Sequence, residues 1–432
     1  MIPVKRFPVA VFSFLLPSIL SLVTFLVTVA GQDCAFAATP APLQENIDSL
    51  LAKGEYERAL EQLEKTYNLF PLDPVVKGNL AITYGLLGGR QLERKQFDEA
   101  AVSFDRARAL EPDNPEYHLG RGIALYGGKH YDDARFSLEQ ARLFGGDTVT
   151  VLFFLGKVCY DTGNLDGALD YWRKGLAVDP DNAELTRLVA KTVREAAVEG
   201  RMGKESSSRF DISYDVKTES RLADDILDIL ETAYSRVGSD FDYYPDARIP
   251  VIVYTKQDFR ATTAGPDWSG GIYDGKIRLP IGGIREVSPQ LKAVLHHEYT
   301  HVVVRELTKG NCPTWLNEGL AQVEEQKEAD IPLDAVTKAA QQGTLLPMTT
   351  LEAPFLSLGA KDARLAYQQS YAMTKQLIAV YGWHKVKEIL VNLGQRMSFG
   401  EAVTKAMKDY GIGNDEVLQG LLEYLKKDYG SG

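Results

Sequence analysis

Between Pro42 and Asn182 small and large apolar positions recur at a fixed interval. Ala100, Ala134 and Ala168 are 34 apart, each is followed four residues later by a bulky side chain (Phe104, Leu138, Trp172), and Gly122 and Gly156 are again 34 apart. Glu111-Pro112-Asp113-Asn114 and Asp179-Pro180-Asp181-Asn182 are separated by 68, twice that period, with Gly146 at the intermediate turn. A small residue paired with a large one at constant spacing predicts helix pairs stacked into an array, because no single pair can bury its apolar face alone. An earlier copy shows Ala59, Leu63 and Pro71, but Ala59 to Ala100 is 41, seven more than the period. Seven residues make about two helical turns, so an insertion around Leu87 to Lys95 lengthens a helix pair without rotating its apolar face. Four repeats are therefore expected, with residues 183–199 (Leu185, Leu188, Val189, Val193) forming a solvating cap helix.

From Ser206 the pattern changes. Phe210, Ile212 and Tyr214 alternate as in a strand, Leu222, Ile226, Ile229, Leu230 and Tyr234 follow helical spacing, and Ile249 to Tyr254 reads as a second strand. Thr255 to Asp258 opens a short helix with an acid where a capping box wants one. Residues Ile272 to Leu279 form a hairpin about a two-residue Asp274-Gly275 turn. Ser288-Pro289 starts a helix running to about Leu307, a helix from about Ala366 ends near Tyr381, and amphipathic helices close the chain at Val386–Leu393, Phe399–Met407 and Val417–Tyr424.

The array resembles the tetratricopeptide repeat family, in which the small residue packs helix B against helix A. That resemblance implies a concave groove for a peptide or protein partner. A spacer packed on its neighbour is the other reading, and repeats by themselves name no ligand. His118 and His130 are read as surface or packing residues and Cys159 as a small core residue.

Ahead of the array, Lys5 and Arg6 precede an uncharged stretch from Phe7 to Gly31 and then Ala35-Phe36-Ala37-Ala38. This is the order of a secretory signal, residues 1–37, with cleavage after Ala37. An uncleaved membrane anchor is the alternative, because the apolar stretch is long. Either way the remainder is expected to be exported, to a periplasm or the medium. Composition narrows the partners. Lys plus Arg total 48 and Asp plus Glu 59, a net charge of −11, which excludes nucleic acid as the main partner. Three cysteines are too few for a disulfide framework, and Cys159 and Cys312 are expected as free thiols.

Histidine is scarce, six in 432 residues, yet His296, His297 and His301 fall within six positions. In His297-Glu298-Tyr299-Thr300-His301 the two outer histidines share one helix face and both imidazoles can reach one metal ion, while Glu298 beside them can deprotonate a water. His296 is rotated by about 100° and cannot share that site, so it is read as an outer contact of the site or a surface residue. Downstream, Pro313-Thr314-Trp315-Leu316-Asn317-Glu318-Gly319-Leu320-Ala321 begins a returning helix. His301 lies roughly 9 to 13 Å before the reversal and Glu318 roughly 8 Å after it, so Glu318 arrives near the level of the histidines. The three side chains, His297, His301 and Glu318, make a zinc site for one Zn2+ with an open position.

His-Glu-x-x-His followed by Trp-Leu-Asn-Glu-Gly-Leu-Ala resembles the gluzincin metallopeptidases, in particular the peptidase MA-like group, across roughly Ser206 to the C-terminus. The fold this implies is multidomain: an all-α tetratricopeptide solenoid over 42–199, then an α+β zincin-like domain over 206–430. The resemblance makes Glu298 the general base and proton shuttle. It asks for an oxyanion donor, for which Tyr367 is the first candidate and Tyr371 the second. It also asks for a strand that pairs with extended substrate, placed at Gly271, Ile272 and Tyr273 in the hairpin. The chain has no Gly-x-Met-Glu-Asn segment of the aminopeptidase type, which favours an endopeptidase. Position 322, four after Glu318, is Gln322, so the carboxylate that orients a ligand histidine is not placed by the sequence. His384 is read as structural. A zinc-binding scaffold of little or no activity is the rival reading.

Overall fold

The structure is a computed structural model and describes residues 41–430 apart from 216–219, 264–270, 283 and 285. The expected export signal, and Cys34 with it, lies outside these residues. Among the described residues no helix is long and apolar enough to cross a membrane. The chain divides into two compact units, one ending at Val189 and the other beginning at Ala190.

The first unit is helical throughout its described length. Its helices pair as α1 (Ala41–Ala52) with α2 (Tyr56–Leu69), α3 (Pro74–Glu93) with α4 (Phe97–Leu110), α5 (Pro115–Gly127) with α6 (Tyr131–Gly145), and α7 (Val149–Asp161) with α8 (Leu165–Val178). The long α3 absorbs the seven-residue insertion. Asp73 and Asn114 cap α3 and α5 by accepting backbone N–H groups of the first turn, each with proline next in sequence. The 34-residue period has a direct steric cause. A Cβ at Gly88, Gly122 or Gly156 would lie 2.9 Å from Phe104, 2.7 Å from Leu138 and 2.1 Å from Trp172 respectively. Each glycine of the first helix thus receives the bulky residue sixteen positions later on the second. Trp172 is fully buried, and its indole N–H donates to the Phe153 carbonyl at 3.1 Å.

Helix α9 (Ala183–Glu199) was expected as a cap, and the division of the chain falls inside it. The second unit takes up its last ten residues. It continues with β1 (Gly203–Ser206), β2 (Phe210–Tyr214), α10 (Ser220–Phe241), β3 (Ile249–Thr255), α11 (Lys256–Thr263), β4 (Ile272–Tyr273) and β5 (Ile277–Gly282). The strands form one mixed sheet in the order β1-β2-β3-β5-β4. β2, β3 and β5 run parallel, while β1 and β4 are antiparallel edges. Alternation sorts the side chains. Val251, Val253, Ile277 and Leu279 enter the main core with α10, whereas Ile252, Tyr254 and Phe259 pack with Val198 and Met202 in a separate cluster.

On that second face lies a buried ionic cluster. Arg278 of β5, 1% exposed, donates to Glu195 at 2.8 Å, to Glu199 at 3.0 Å and to Asp274 at 3.0 Å, and it also bonds the Tyr254 hydroxyl. Lys191 pairs with Asp274 at 2.8 Å. Glu195 is fully buried, which a solvating cap would not require. The β4–β5 connection also differs from the two-residue turn expected. Tyr273 pairs with Ile277, leaving Asp274, Gly275 and Lys276 in the loop, with only Gly275 of the three at positive φ. The flanking charges Asp274 and Lys276 are drawn into the cluster with Arg278 and Glu199.

The helical remainder is α12 (Pro289–Thr308), α13 (Thr314–Glu325), α14 (Asp334–Gln342), α15 (Met348–Glu352), α16 (Ala360–Gly394, broken at Gly382), α17 (Phe399–Ala406) and α18 (Asn414–Tyr424). Ser288 caps α12 by accepting the Leu291 N–H at 3.1 Å, as its sequence suggests. Tyr299 anchors α12 against Phe210 and Tyr234, with ring centroids 5.9 and 6.1 Å away. Substituting Gly156→Ala should destabilise the repeat unit by about 1–3 kcal/mol through overpacking on Trp172. Gly89→Ala, where nothing lies within 4 Å, should stabilise it by roughly 0.5–1 kcal/mol. Denaturant unfolding of the two variants checks the contrast, and equal shifts would refute the glycine–tryptophan packing account.

Candidate metal centre

Three elements meet at one point. α12 ends with Lys309 and Gly310 in left-handed conformation, which turns the chain so that α13 packs back along α12. α16 then lies against α13 at Gly319, where a Cβ would be 2.1 Å from Thr374 Oγ1 and 2.5 Å from the Ser370 carbonyl oxygen. The glycine after Glu318 therefore permits the close helix contact that brings α16, and with it Tyr367, to the site.

At this junction His297, His301 and Glu318 converge, their nearest nitrogen and oxygen atoms all within 4.8 Å of one another. Glu318 Oε2 lies 3.6 Å from His297 Nε2 and 3.5 Å from His301 Nε2. These separations are long for hydrogen bonds. They are close to the roughly 3.3 Å between two ligands of a tetrahedral ion with bonds of about 2.0–2.1 Å. Glu318 Oε2 and Glu298 Oε2 are buried with no hydrogen-bond partner among the described residues. Two imidazoles and a carboxylate oxygen facing one space are a donor set suited to zinc, and the residues present fit such an ion.

The outer contacts supply what the sequence left unplaced. Glu325, seven residues after Glu318 and on the same helix face, accepts from His297 Nδ1 at 2.7 Å, and Gln322 donates to the same carboxylate. Because Nδ1 is the donor there, Nε2 is left to present its lone pair to a metal. Gln322, the position four after Glu318, falls about one turn short of Glu325. Spacing of i, i+7 was the available signal.

Electrostatics follow from this packing. Burial opposes the charged form of His297, but Glu325 and Glu318 raise its pKa well above the ordinary value; burial opposes the charged form of His301 too, and Glu318 raises its pKa above the ordinary value. Burial works against ionisation of Glu318 too, yet His301 and His297 hold it well below the usual carboxylate range. Glu298 is shifted upward by burial, the nearby histidines offsetting part of the effect.

The centre opens into a cleft of about 300 Å³. The expected substrate residues Gly271, Ile272 and Tyr273 line it, with Glu298, Tyr367, Asn317 and Cys312. Glu298 sits against the edge strand so closely that a Cβ at Gly271 would be 2.6 Å from its Oε1. That packing reason for Gly271 was not visible in the sequence. Tyr367 lies in the cleft wall, its phenol kept protonated by burial and by Glu318, Glu298 and Glu325. Tyr371 does not line the cleft. One turn further along α16, it is buried and packs beneath the Lys375 ammonium, so its hydroxyl is not among the groups facing the cleft. His296 is neither a ligand nor on the surface. It is 2% exposed, with Nδ1 donating to the Lys292 carbonyl at 2.9 Å and Nε2 3.7 Å from Glu328. Cys159 and Cys312 are free thiols.

A mixed sheet with an antiparallel edge strand, set beside a helix pair bearing two histidines and a glutamate, defines a zincin-like α+β fold following a helical repeat array. Residues 241–421 match the Peptidase MA superfamily, and residues 91–151 and 149–182 match tetratricopeptide repeat models. The chain thus carries a Peptidase MA superfamily domain after tetratricopeptide repeats. The BBSome complex member bbs-4 of Caenorhabditis elegans is 28% identical over 154 residues, 33% of this chain and 32% of that protein, so the match spans about a third of the relative's length. A thermophilic TPR protein of Thermus thermophilus is 21% identical, covering 35% of this chain and 97% of its own, with a TM-score of 0.25. The MamA MSR-1 structure is 22% identical over 36% of this chain and 85% of its own, with a TM-score of 0.28.

Two outcomes are expected from the outer contacts. Glu325→Gln should weaken zinc binding by about 10–100-fold, measured by competition with a chromophoric chelator, and unchanged affinity would exclude an orienting role. Zinc requires neutral imidazoles, whereas in the metal-free protein His297 and His301 hold protons above the ordinary 6.5. Their imidazolium–carboxylate pairs stabilise the metal-free protein fully below that value, down to the lowered pKa of Glu318, and the contribution is lost as pH rises through the raised histidine pKa values. Apparent zinc affinity should therefore still be climbing with pH above 6.5. A zinc titration series that is flat there would contradict the assignment.

Proposed function

We propose that the chain is a zinc-dependent peptidase, an endopeptidase exported by its N-terminal segment, whose repeat array recruits a protein substrate or partner. The observation that carries the reading is the convergence of His297, His301 and Glu318 beside Glu298 at the floor of a cleft walled by an edge strand. Its placement within the matched superfamily segment supports it.

A zinc ion held by these three side chains supplies Lewis acidity, polarising a carbonyl and making water a better nucleophile at neutral pH. The protein's own groups perform the rest. Glu298 takes the proton from the attacking water on one carboxylate oxygen and delivers it to the amine nitrogen as the peptide bond breaks. Its raised pKa suits both halves of that transfer. Tyr367, protonated at neutral pH, donates to the oxygen that gains negative charge. Ile272 and Tyr273 form the edge of the sheet, on which an extended peptide can add as a further strand. Strand addition reads backbone along a chain and needs no free terminus, in keeping with an endopeptidase. Tetratricopeptide repeats and the similarity to a BBSome subunit support protein recruitment by the array.

Glu298→Gln removes the proton acceptor and leaves all three proposed ligands. Purified Glu298→Gln protein should bind zinc like the unmodified chain yet lose at least about 10²-fold in hydrolysis of a peptide library. Equal cleavage by both proteins, or absence of zinc from the unmodified one, would sink the peptidase reading in favour of a scaffold.

A further inference from the structure

The cleft continues past the proposed metal site along α12. His297, His301, Val304, Arg305 and Thr308 all line it, a face that follows helical spacing toward the C-terminal end of α12. β4 forms the facing wall and runs in the same sense, since Gly271 abuts Glu298 while the Tyr273 ring lies 5.7 Å from the Arg305 guanidinium carbon. Arg305 is exposed and, among the described residues, has no carboxylate partner. The acids that line the cleft, Glu298 and Glu318, are committed to the proton transfer and to the metal set. A guanidinium on an aromatic face, in a cleft whose own acids are engaged elsewhere, is an incomplete recognition site: its fork of donors matches a carboxylate in two-point contact.

We propose that Arg305 binds a carboxylate of the peptide substrate, so that the cleft selects peptides carrying a carboxylate near the cleaved bond. This deepens the peptidase reading and rests on it. Arg305 lies four residues beyond His301, about 6 Å along the helix. A strand advances roughly 3.3 Å per residue, so the carboxylate sits about two residues from the bond held at the metal. It can belong to an Asp or Glu side chain or to the terminal carboxylate of the chain. The position of Arg305 in the last turn of α12 also complements the helix dipole, but that role is indifferent to substrate charge.

The test uses full-length protein and a peptide series identical except for Glu or Gln near the cleaved bond and a free or amidated C-terminus. Hydrolysis is followed with the unmodified and Arg305→Gln proteins, and binding by fluorescence anisotropy with Glu298→Gln and Glu298→Gln/Arg305→Gln. The carboxylate-bearing peptide should be preferred by roughly five- to tenfold, expressed in KM and in binding. The preference should vanish in Arg305→Gln and pass to a Lys peptide in Arg305→Glu. Dependence on the internal Glu or on the free C-terminus identifies the source of the carboxylate. Hydrolysis with no charge preference, or a preference that survives Arg305→Gln, overturns the proposal and leaves the peptidase reading intact. If nothing is cleaved the peptidase reading fails, and the anisotropy arm decides separately: charge-dependent binding lost with Arg305 upholds the proposal, and charge-independent binding overturns it.

Discussion

A carboxylate and two imidazoles taken out of water within a few ångströms of one another require compensation from every side, and most of the second unit is arranged to supply it. Burial works against ionisation of Glu318 and the two histidines counter that effect, while His297 is held in its tautomer by Glu325. The arrangement depends on helix spacing. α13 must approach α16 as closely as Gly319 allows, and α12 must be fixed by Tyr299 against β2 and α10. In such a site a cation of charge two replaces protons as the partner of the carboxylate, so metal binding and local electrostatics are one linked equilibrium.

How far the sequence disclosed this can be followed residue by residue. The repeat period was legible because it is a steric rule: a glycine on one helix must face a large side chain on the next, and Gly122 with Leu138 and Gly156 with Trp172 obey it. The meeting of Glu318 with the histidines was legible because helical rise and a short reversal leave little freedom. Glu325 lies about two turns after Glu318, and only the packing of α13 back along α12 brings it to His297. β1, Gly-Lys-Glu-Ser, was missed because a polar edge strand has no apolar alternation, and its existence depends on pairing with β2. Tyr367 and Tyr371 could not be separated by sequence, since both lie on the same helix face and only the position of α16 along its axis puts the first in the cleft.

The two units show different relations between pattern and structure. In the repeats, local contacts between successive helices account for each small and large position, so the sequence can be read one pair at a time. In the second unit the decisive contacts join distant segments: α12 to α16, β4 to α12, and the end of α9 to β5. Such contacts carry no short-range signature, which is why the shared face of His297 and His301 on α12 could be placed from the sequence while the walls around it could not.

The ionic cluster about Arg278 bears on where this protein can be cut. The superfamily match begins at 241, yet Glu195 and Glu199, which neutralise a fully buried guanidinium on β5, lie more than forty residues upstream. A fragment designed from the matched boundary, or from the change of pattern at Ser206, would lose Glu195, Glu199 and the helix end that carries them, leaving Arg278 with Asp274 as its remaining carboxylate in the cluster. Removing one partner of a buried ion costs up to about 3–5 kcal/mol where the ion stays buried, and here two carboxylates would go together with the packing of Val198 against Ile252 and Tyr254. The smallest self-sufficient form of the second unit therefore starts no later than Ala190, in the middle of a helix that sequence alone assigns to the repeats.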